Sequence, residues 1–228
     1  MDKMECQCIH GPDEMDLPMS NVESKVESKV DIRQVKLVKP GEGSAEVEQI
    51  YDEISRVKDP RWLGPLFGFF AVVPPLLKAW WELQKQLELL KGHVPRELMN
   101  RIAMVCAVAT DCPRCINFHK SDLIDRLQLS PTEIDKLHDF ENADLPDAEK
   151  AVFRVARKLT LNEAMSDEEF NALREAGYDD PAIVEIVSVA LMEGAFARHA
   201  SVFARFEDGM QWPAQHTPSP EYRKVIDK

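Results

Sequence analysis

From Ser44 onward, apolar residues recur at spacings of three and four. Val47, Ile50, Tyr51 and Ile54 form one such face, which predicts an amphipathic helix. Pro75 can occupy a first helical turn, where its missing N–H costs nothing, and the pattern then runs to Leu90. After Gly92, Pro95 opens a further helix, PRELMNRIAMVCAVAT. From Ile102 to Ala109 this stretch is apolar all round, which predicts burial on every side. Ser130-Pro-Thr-Glu133 and Ser166-Asp-Glu-Glu169 fit the capping box, in which serine and glutamate satisfy free backbone donors reciprocally, so each predicts a helix start. Asp180-Pro181 opens the last long pattern, Ile183 to Phe206, interrupted by Gly194. No convincing strand alternation appears in this part of the chain, so the expected fold class is all-α, a compact helical bundle.

Residues 1–44 lack helical periodicity apart from the repeat Val22-Glu-Ser-Lys-Val26-Glu-Ser-Lys-Val30 and end in Lys39-Pro-Gly-Glu-Gly-Ser44. They read as an N-terminal arm, followed by one domain over 45–208 and a tail over 209–228. A length of 228 residues, 44% hydrophobic and 30% charged, suits one well-buried domain with tails. The net charge of −12 is spread along the chain, which argues against nucleic acid or an anionic membrane surface as a partner. The first twenty residues are acidic and carry no apolar stretch of signal-peptide type, so the expected location is the cytoplasm. The run Leu63 to Trp81 is broken by Gly64, Pro65, Gly68 and Pro74-Pro75 and contains Lys78, which speaks against a spanning helix.

Five cysteines suit redox or metal chemistry better than a disulfide scaffold. The chemistry concentrates in Asp111-Cys112-Pro-Arg-Cys115-Ile-Asn-Phe-His119, at the exit of the buried helix. If Pro113 begins a new helix, Cys112 caps it and Cys115 lies in its first turn, where free N–H groups and the helix dipole favour a thiolate. His119, four residues after Cys115 and seven after Cys112, projects from the same face and can exchange the thiol proton. Arg114 adds positive charge nearby. Two blander readings compete: small core cysteines beside a polar helix-facing histidine, or a zinc site. A closed zinc site needs a fourth ligand, and Cys6, Cys8 and His10 supply one only if the acidic arm folds back. Those three read as inert tail residues, Cys106 as a packed small hydrophobe, and neither metal nor cofactor is expected.

The segment RELMNRIAMVCAVATDCPRCINFHKSDL, with its CxxCxxxH motif, resembles the active-site region of the alkylhydroperoxidase D and carboxymuconolactone decarboxylase superfamily. The likeness extends from IYDEI near Ile50, through Pro74-Pro75 and Trp80, to SPTEIDKL, LPDAEKAV, LREAGYDD and the last Val-rich helix. It covers roughly residues 45 to 207, and the stretch from Ile32 resembles the family's entry arm. The resemblance implies a thiol-dependent peroxidase or disulfide oxidoreductase. Cys115 would attack a hydroperoxide and Cys112 would close the disulfide. An external dithiol or a protein disulfide reductant would reopen it, in a homodimer, trimer or hexamer.

The family's relay joins the motif histidine, here His119, to a glutamate twelve residues before the first cysteine. That position is Asn100, which cannot carry the proton. Glu97, one turn earlier on the same helix face, is the candidate replacement, against a plain reading as a solvated first-turn residue. Glu193 and His199 interrupt the apolar last helix and read as structural, at subunit contacts. Leu66-Phe-Gly-Phe-Phe70 reads as an interface or pocket lining, or simply as core. Two other classes remain. A decarboxylase-like enzyme would act by proton transfer, although such enzymes generally lack the CxxC pair. A non-catalytic redox-sensing or assembly module is favoured by Asn100.

Overall fold

The computed structural model describes residues 35–57, 65–125 and 127–203. Cys6, Cys8, His10, the Val22 repeat and the tail over 209–228 lie outside them, and of the arm only 35–44 is described. Among the described residues the chain is helical, with no strand. The elements are α1 (Ala45–Val57), α2 (Pro65–Phe70), α3 (Pro74–Gln84) continuing as a π-helical turn (Lys85–Leu89), α4 (Arg96–Ala109), α5 (Pro113–Asp125), α6 (Pro131–His138), α7 (Asp147–Thr160), α8 (Asp167–Glu175) and α9 (Asp180–Phe203). Among the described residues, no helix is long and apolar enough to cross a membrane.

α4 is the centre of the bundle, touching α5, α6, α7, α9 and the π turn. Its residues Ile102 to Ala107 are all buried, because apolar side chains on every face require a neighbour on every face. They pack with Val152, Phe153 and Ala156 of α7 and with Ile186, Val189 and Ala190 of α9. A second cluster joins Val47, Ile50, Tyr51 and Ile54 of α1 to Phe67 and Phe70 of α2 and to Leu77 and Trp81 of α3. The expected face of α1 is therefore the buried one. The preceding strap is tied to this cluster by the Tyr51 hydroxyl, which donates to the Val38 carbonyl at 2.6 Å, and by the Val38 N–H, which donates to Gly68 at 3.0 Å.

Both serine capping boxes form: Ser130 with Glu133 starts α6, and Ser166 with Glu169 starts α8. α9 runs unbroken through Gly194. A Cβ there would lie 3.5 Å from the backbone of Thr160, so the missing side chain lets α7 approach α9 closely. Thr160 uses that approach to donate to the Ala190 carbonyl at 3.3 Å.

Candidate active site

The cysteines owe their position to how α4 ends. The Asp111 N–H donates to Val108 and the Cys112 N–H to Ala107, the paired bonds of a Schellman motif, with Asp111 in the left-handed region at φ 47°. Aspartate accepts that conformation better than most residues. The reversal makes Cys112 both the last bonded residue of α4 and the residue before Pro113, the first of α5. Its sulfur caps the new helix, accepting from the Cys115 N–H at 3.4 Å, while its carbonyl accepts from Ile116 at 2.9 Å. Cys112 and Cys115 are joined as a disulfide, their Cα atoms 5.3 Å apart. Cys112 is buried and Cys115 half-buried, so Cys115 is the sulfur a solute reaches more easily.

One turn on, His119 is buried, and its Nε2 lies 3.0 Å from a carboxylate oxygen of Glu193, itself buried on α9. Two further buried carboxylates act on the same ring: Glu88 from the π turn and Asp122 from α5. Burial alone would push His119 down and is the largest single influence. The charge and hydrogen bond of Glu193, with Glu88 and Asp122 behind them, outweigh it and hold the imidazolium above the usual histidine range. Glu88 in turn accepts from the Gln84 amide, whose Nε2 lies 3.0 and 3.1 Å from its two carboxylate oxygens.

Cys112, Cys115 and His119 thus share the start of α5, as the motif spacing requires. Glu97 lies elsewhere. Its side chain is 52% exposed and pairs with Arg101 at 2.9 Å, and it is not among the carboxylates acting on His119. Asn100 is buried and donates to the Arg96 carbonyl at 2.8 Å, within its own helix. The carboxylate that reaches the histidine comes from α9: Glu193, read from sequence as structural, is its hydrogen-bond partner. Glu88 was not singled out, yet Leu77, Trp81, Gln84 and Glu88 follow at spacings of four, three and four. That rhythm puts both polar residues on the buried face of α3.

His199 packs edge-on against Phe70 and Trp80, whose rings stack 5.1 Å apart, and Trp80 also meets Phe196. Phe67 and Phe70 of the Leu66–Phe70 wedge are core residues. Arg114 is half-buried between the two cysteines. Among the described residues, no group of three His, Cys, Asp or Glu side chains is arranged to hold a metal ion.

Cys106 is fully buried in α4. Burial, with the charge of Glu193 adding to it against a hydrogen bond with Thr160, pushes its thiol up to about 12. A thiol so rarely ionised is a poor nucleophile. In the folded, reduced protein, peptide mapping after iodoacetamide treatment should find Cys115 alkylated and Cys106 untouched until denaturant is added. Equal labelling of the two in the native state would contradict the burial.

No protein-family model and no curated protein sequence matches the chain. Its fold does match solved structures. A cysteine-to-alanine variant of the debrominase Bmp8, in complex with 2,3,4-tribromopyrrole, is 19% identical over 85% of this chain and 96% of its own, with a TM-score of 0.63. An uncharacterised peroxidase-related protein from Silicibacter sp. TM1040 is 19% identical over 79% and 88%, with a TM-score of 0.60. An alkylhydroperoxidase AhpD core protein from Ralstonia eutropha JMP134, also peroxidase-related and uncharacterised, is 20% identical over 73% and 89%, with a TM-score of 0.59.

Proposed function

We propose that this chain, which has the alkylhydroperoxidase D-like fold, is a thiol-dependent peroxidase working through a Cys112–Cys115 redox disulfide, with His119 and Glu193 as its proton relay. The observation that carries the reading is the arrangement on α5. A reachable Cys115 is bonded to a buried Cys112 at a helix N-terminus, and a buried His–Glu pair lies one turn away.

In the reduced protein the Cys115 thiol gives its proton to His119, and the thiolate is stabilised by the first-turn N–H groups of α5. The thiolate attacks the terminal oxygen of a hydroperoxide and the O–O bond breaks. Cys115 becomes a sulfenic acid, and the leaving alkoxide takes the proton from the imidazolium as alcohol. The Cys112 thiol then attacks the sulfenic sulfur, forming the disulfide and releasing water. Glu193 holds the ring by Nε2, which leaves Nδ1 as the nitrogen that exchanges the proton. An external dithiol, free or on a protein reductant, returns two electrons and two protons.

The test is peroxide treatment of reduced wild type, Cys112→Ser and Cys115→Ser, read by intact and peptide mass. Wild type should form the internal disulfide, Cys112→Ser should trap one added oxygen on Cys115, and Cys115→Ser should leave Cys112 unchanged. Thiols that ignore hydroperoxide in all three would overturn the reading.

One observation favours a second electrophile. It is the shared fold with the debrominase Bmp8, solved with 2,3,4-tribromopyrrole, beside the packed aromatic cluster of Phe196, one turn beyond Glu193 on α9, with Trp80, Phe70 and His199. With a halogenated heteroaromatic the same pair would yield the dehalogenated ring, halide, a proton and the disulfide. Disulfide formation with tribromopyrrole but not with hydroperoxides selects that alternative.

A further inference from the structure

α9 is more apolar than its neighbours in the chain can cover. Like α4, it carries apolar residues on nearly every side, a pattern that requires a neighbour on every side. α4 has them. α9 packs against α4, α7, α5, α2 and the π turn, yet Val184 stays 63% exposed and Leu191 53%. They are the two most exposed large apolar side chains among the described residues, and both stand on the side of α9 turned away from the bundle.

The uncovered side has the form of a seam. Val184, Ser188, Leu191, Ala195 and Arg198 follow at spacings of four, three, four and three, the repeat by which one helix packs along another. Ser188 and Ala195 are half-buried and Arg198 is exposed. None of the five is acidic. Glu185, beside the seam, accepts from the His93 and Val94 N–H groups at 2.9 and 3.0 Å, and Glu193 points the other way, to His119. Copies of a chain with net charge −12 repel one another, so an acid-free apolar face is where two of them can meet.

The order of side-chain sizes points to the occupant. Leu191 stands at the centre, with a small residue on each side of it and a larger one beyond each, so the seam reads alike from either end. Such a surface complements itself under a two-fold axis. Antiparallel pairing sets Leu191 against its own copy, Ser188 against Ala195 of the partner subunit, where small side chains admit close approach, and Val184 against the stem of the partner subunit's Arg198. Parallel pairing would bring the two arginines together and align the two helix dipoles. We propose that this face is a homodimer interface, in which two copies pair through antiparallel α9 helices centred on Leu191. From Val184 to Arg198 the seam runs about 21 Å at the helical rise per residue. One helix pair of that length falls short of the ~800 Å² per partner of a standard interface, so the dimer is weak and concentration-dependent. The proposal stands apart from the peroxidase reading, because the second copy lies on the side of α9 opposite Glu193.

The experiment is sedimentation equilibrium of the chain in reducing buffer over a range of concentrations. Wild type should pass from 26.0 kDa toward twice that mass as concentration rises. Leu191→Glu sets two carboxylates face to face and should weaken the dimer at least about 100-fold, and Leu191→Lys should do the same with two ammonium groups. An equal mixture of the two variants should dimerise again, which also shows that both are folded. Leu83→Glu, at an exposed apolar position on α3, should leave the dimer intact. A photo-crosslinker at Val184 should capture the partner around Arg198, which its own chain holds out of reach. Five results would each overturn the proposal: a wild type that stays monomeric, an odd-numbered assembly, a Leu191→Glu protein that still dimerises or a mixture that does not, a dimer that Leu83→Glu dissociates, and capture of the partner around Val184.

Discussion

Replacing Glu193 with glutamine should move the alkaline limb of the proposed peroxide reaction to lower pH. Burial pushes the His119 imidazolium down, and the carboxylates, Glu193 first among them, more than reverse this. Glutamine keeps a hydrogen bond and removes the charge, so burial regains weight and the ring loses its proton at lower pH. A general acid works only while protonated, and the active range shrinks from its alkaline side. Removing the ring altogether, with His119→Gln, should cost about 10²- to 10⁴-fold in the second-order rate of Cys115 with hydroperoxide at neutral pH, the usual worth of a positioned acid–base group. Part of that loss should return at high pH, where solvent hydroxide makes the thiolate without help. Stopped-flow rates across the pH range separate the two variants. A Glu193→Gln profile that overlays wild type would reduce the pair to packing.

The proposed relay is only half legible in the sequence. The cysteines, the histidine and their common helix follow from spacing, because CxxC at a helix N-terminus and a histidine one turn later have few arrangements. The helix entries at Ser130 and Ser166 follow from capping boxes, and burial of α4 follows from its unbroken apolar run. α7 has no capping signal, since Pro146 precedes it with no capping side chain, but Val152, Phe153, Val155 and Ala156 recur at helical spacing and form its buried face. The sequence offers a carboxylate for the proposed relay on the same helix as Asn100, one turn away at Glu97. A helix can bring it only as far as its own register allows, and there the side chain turns to solvent and Arg101. Glu193 is 74 residues from His119 in sequence. Its signal was a lone charge in an apolar helix, which marks a buried partner without naming it. Packing of α9 against α4 and α5 supplies that partner.

The same pair should dominate a stability cycle. His119→Leu removes the ring bonded to buried Glu193, and the cheapest escape is for Glu193 to take up a proton. For a glutamate of reference pKa about 4.3 this costs about 3–4 kcal/mol at neutral pH, within the range of about 3–5 kcal/mol for a broken buried pair. Glu193→Leu should cost less, since an orphaned imidazole simply stays neutral near pH 7. The double variant should recover much of the His119→Leu loss. The pH dependence has a definite sign. In wild type the folded His119 value is raised, so its contribution is complete below the unfolded value of about 6.5 and is lost as pH rises through the folded one. In His119→Leu, Glu193 becomes the group with a raised folded value, and its penalty fades as pH falls toward about 4. The gap between the two proteins should therefore widen from mildly acidic to neutral pH. Urea unfolding of the disulfide forms at several pH values measures it. Equal losses in the two single variants with no recovery in the double would mean that His119 and Glu193 are stabilised separately rather than as a pair.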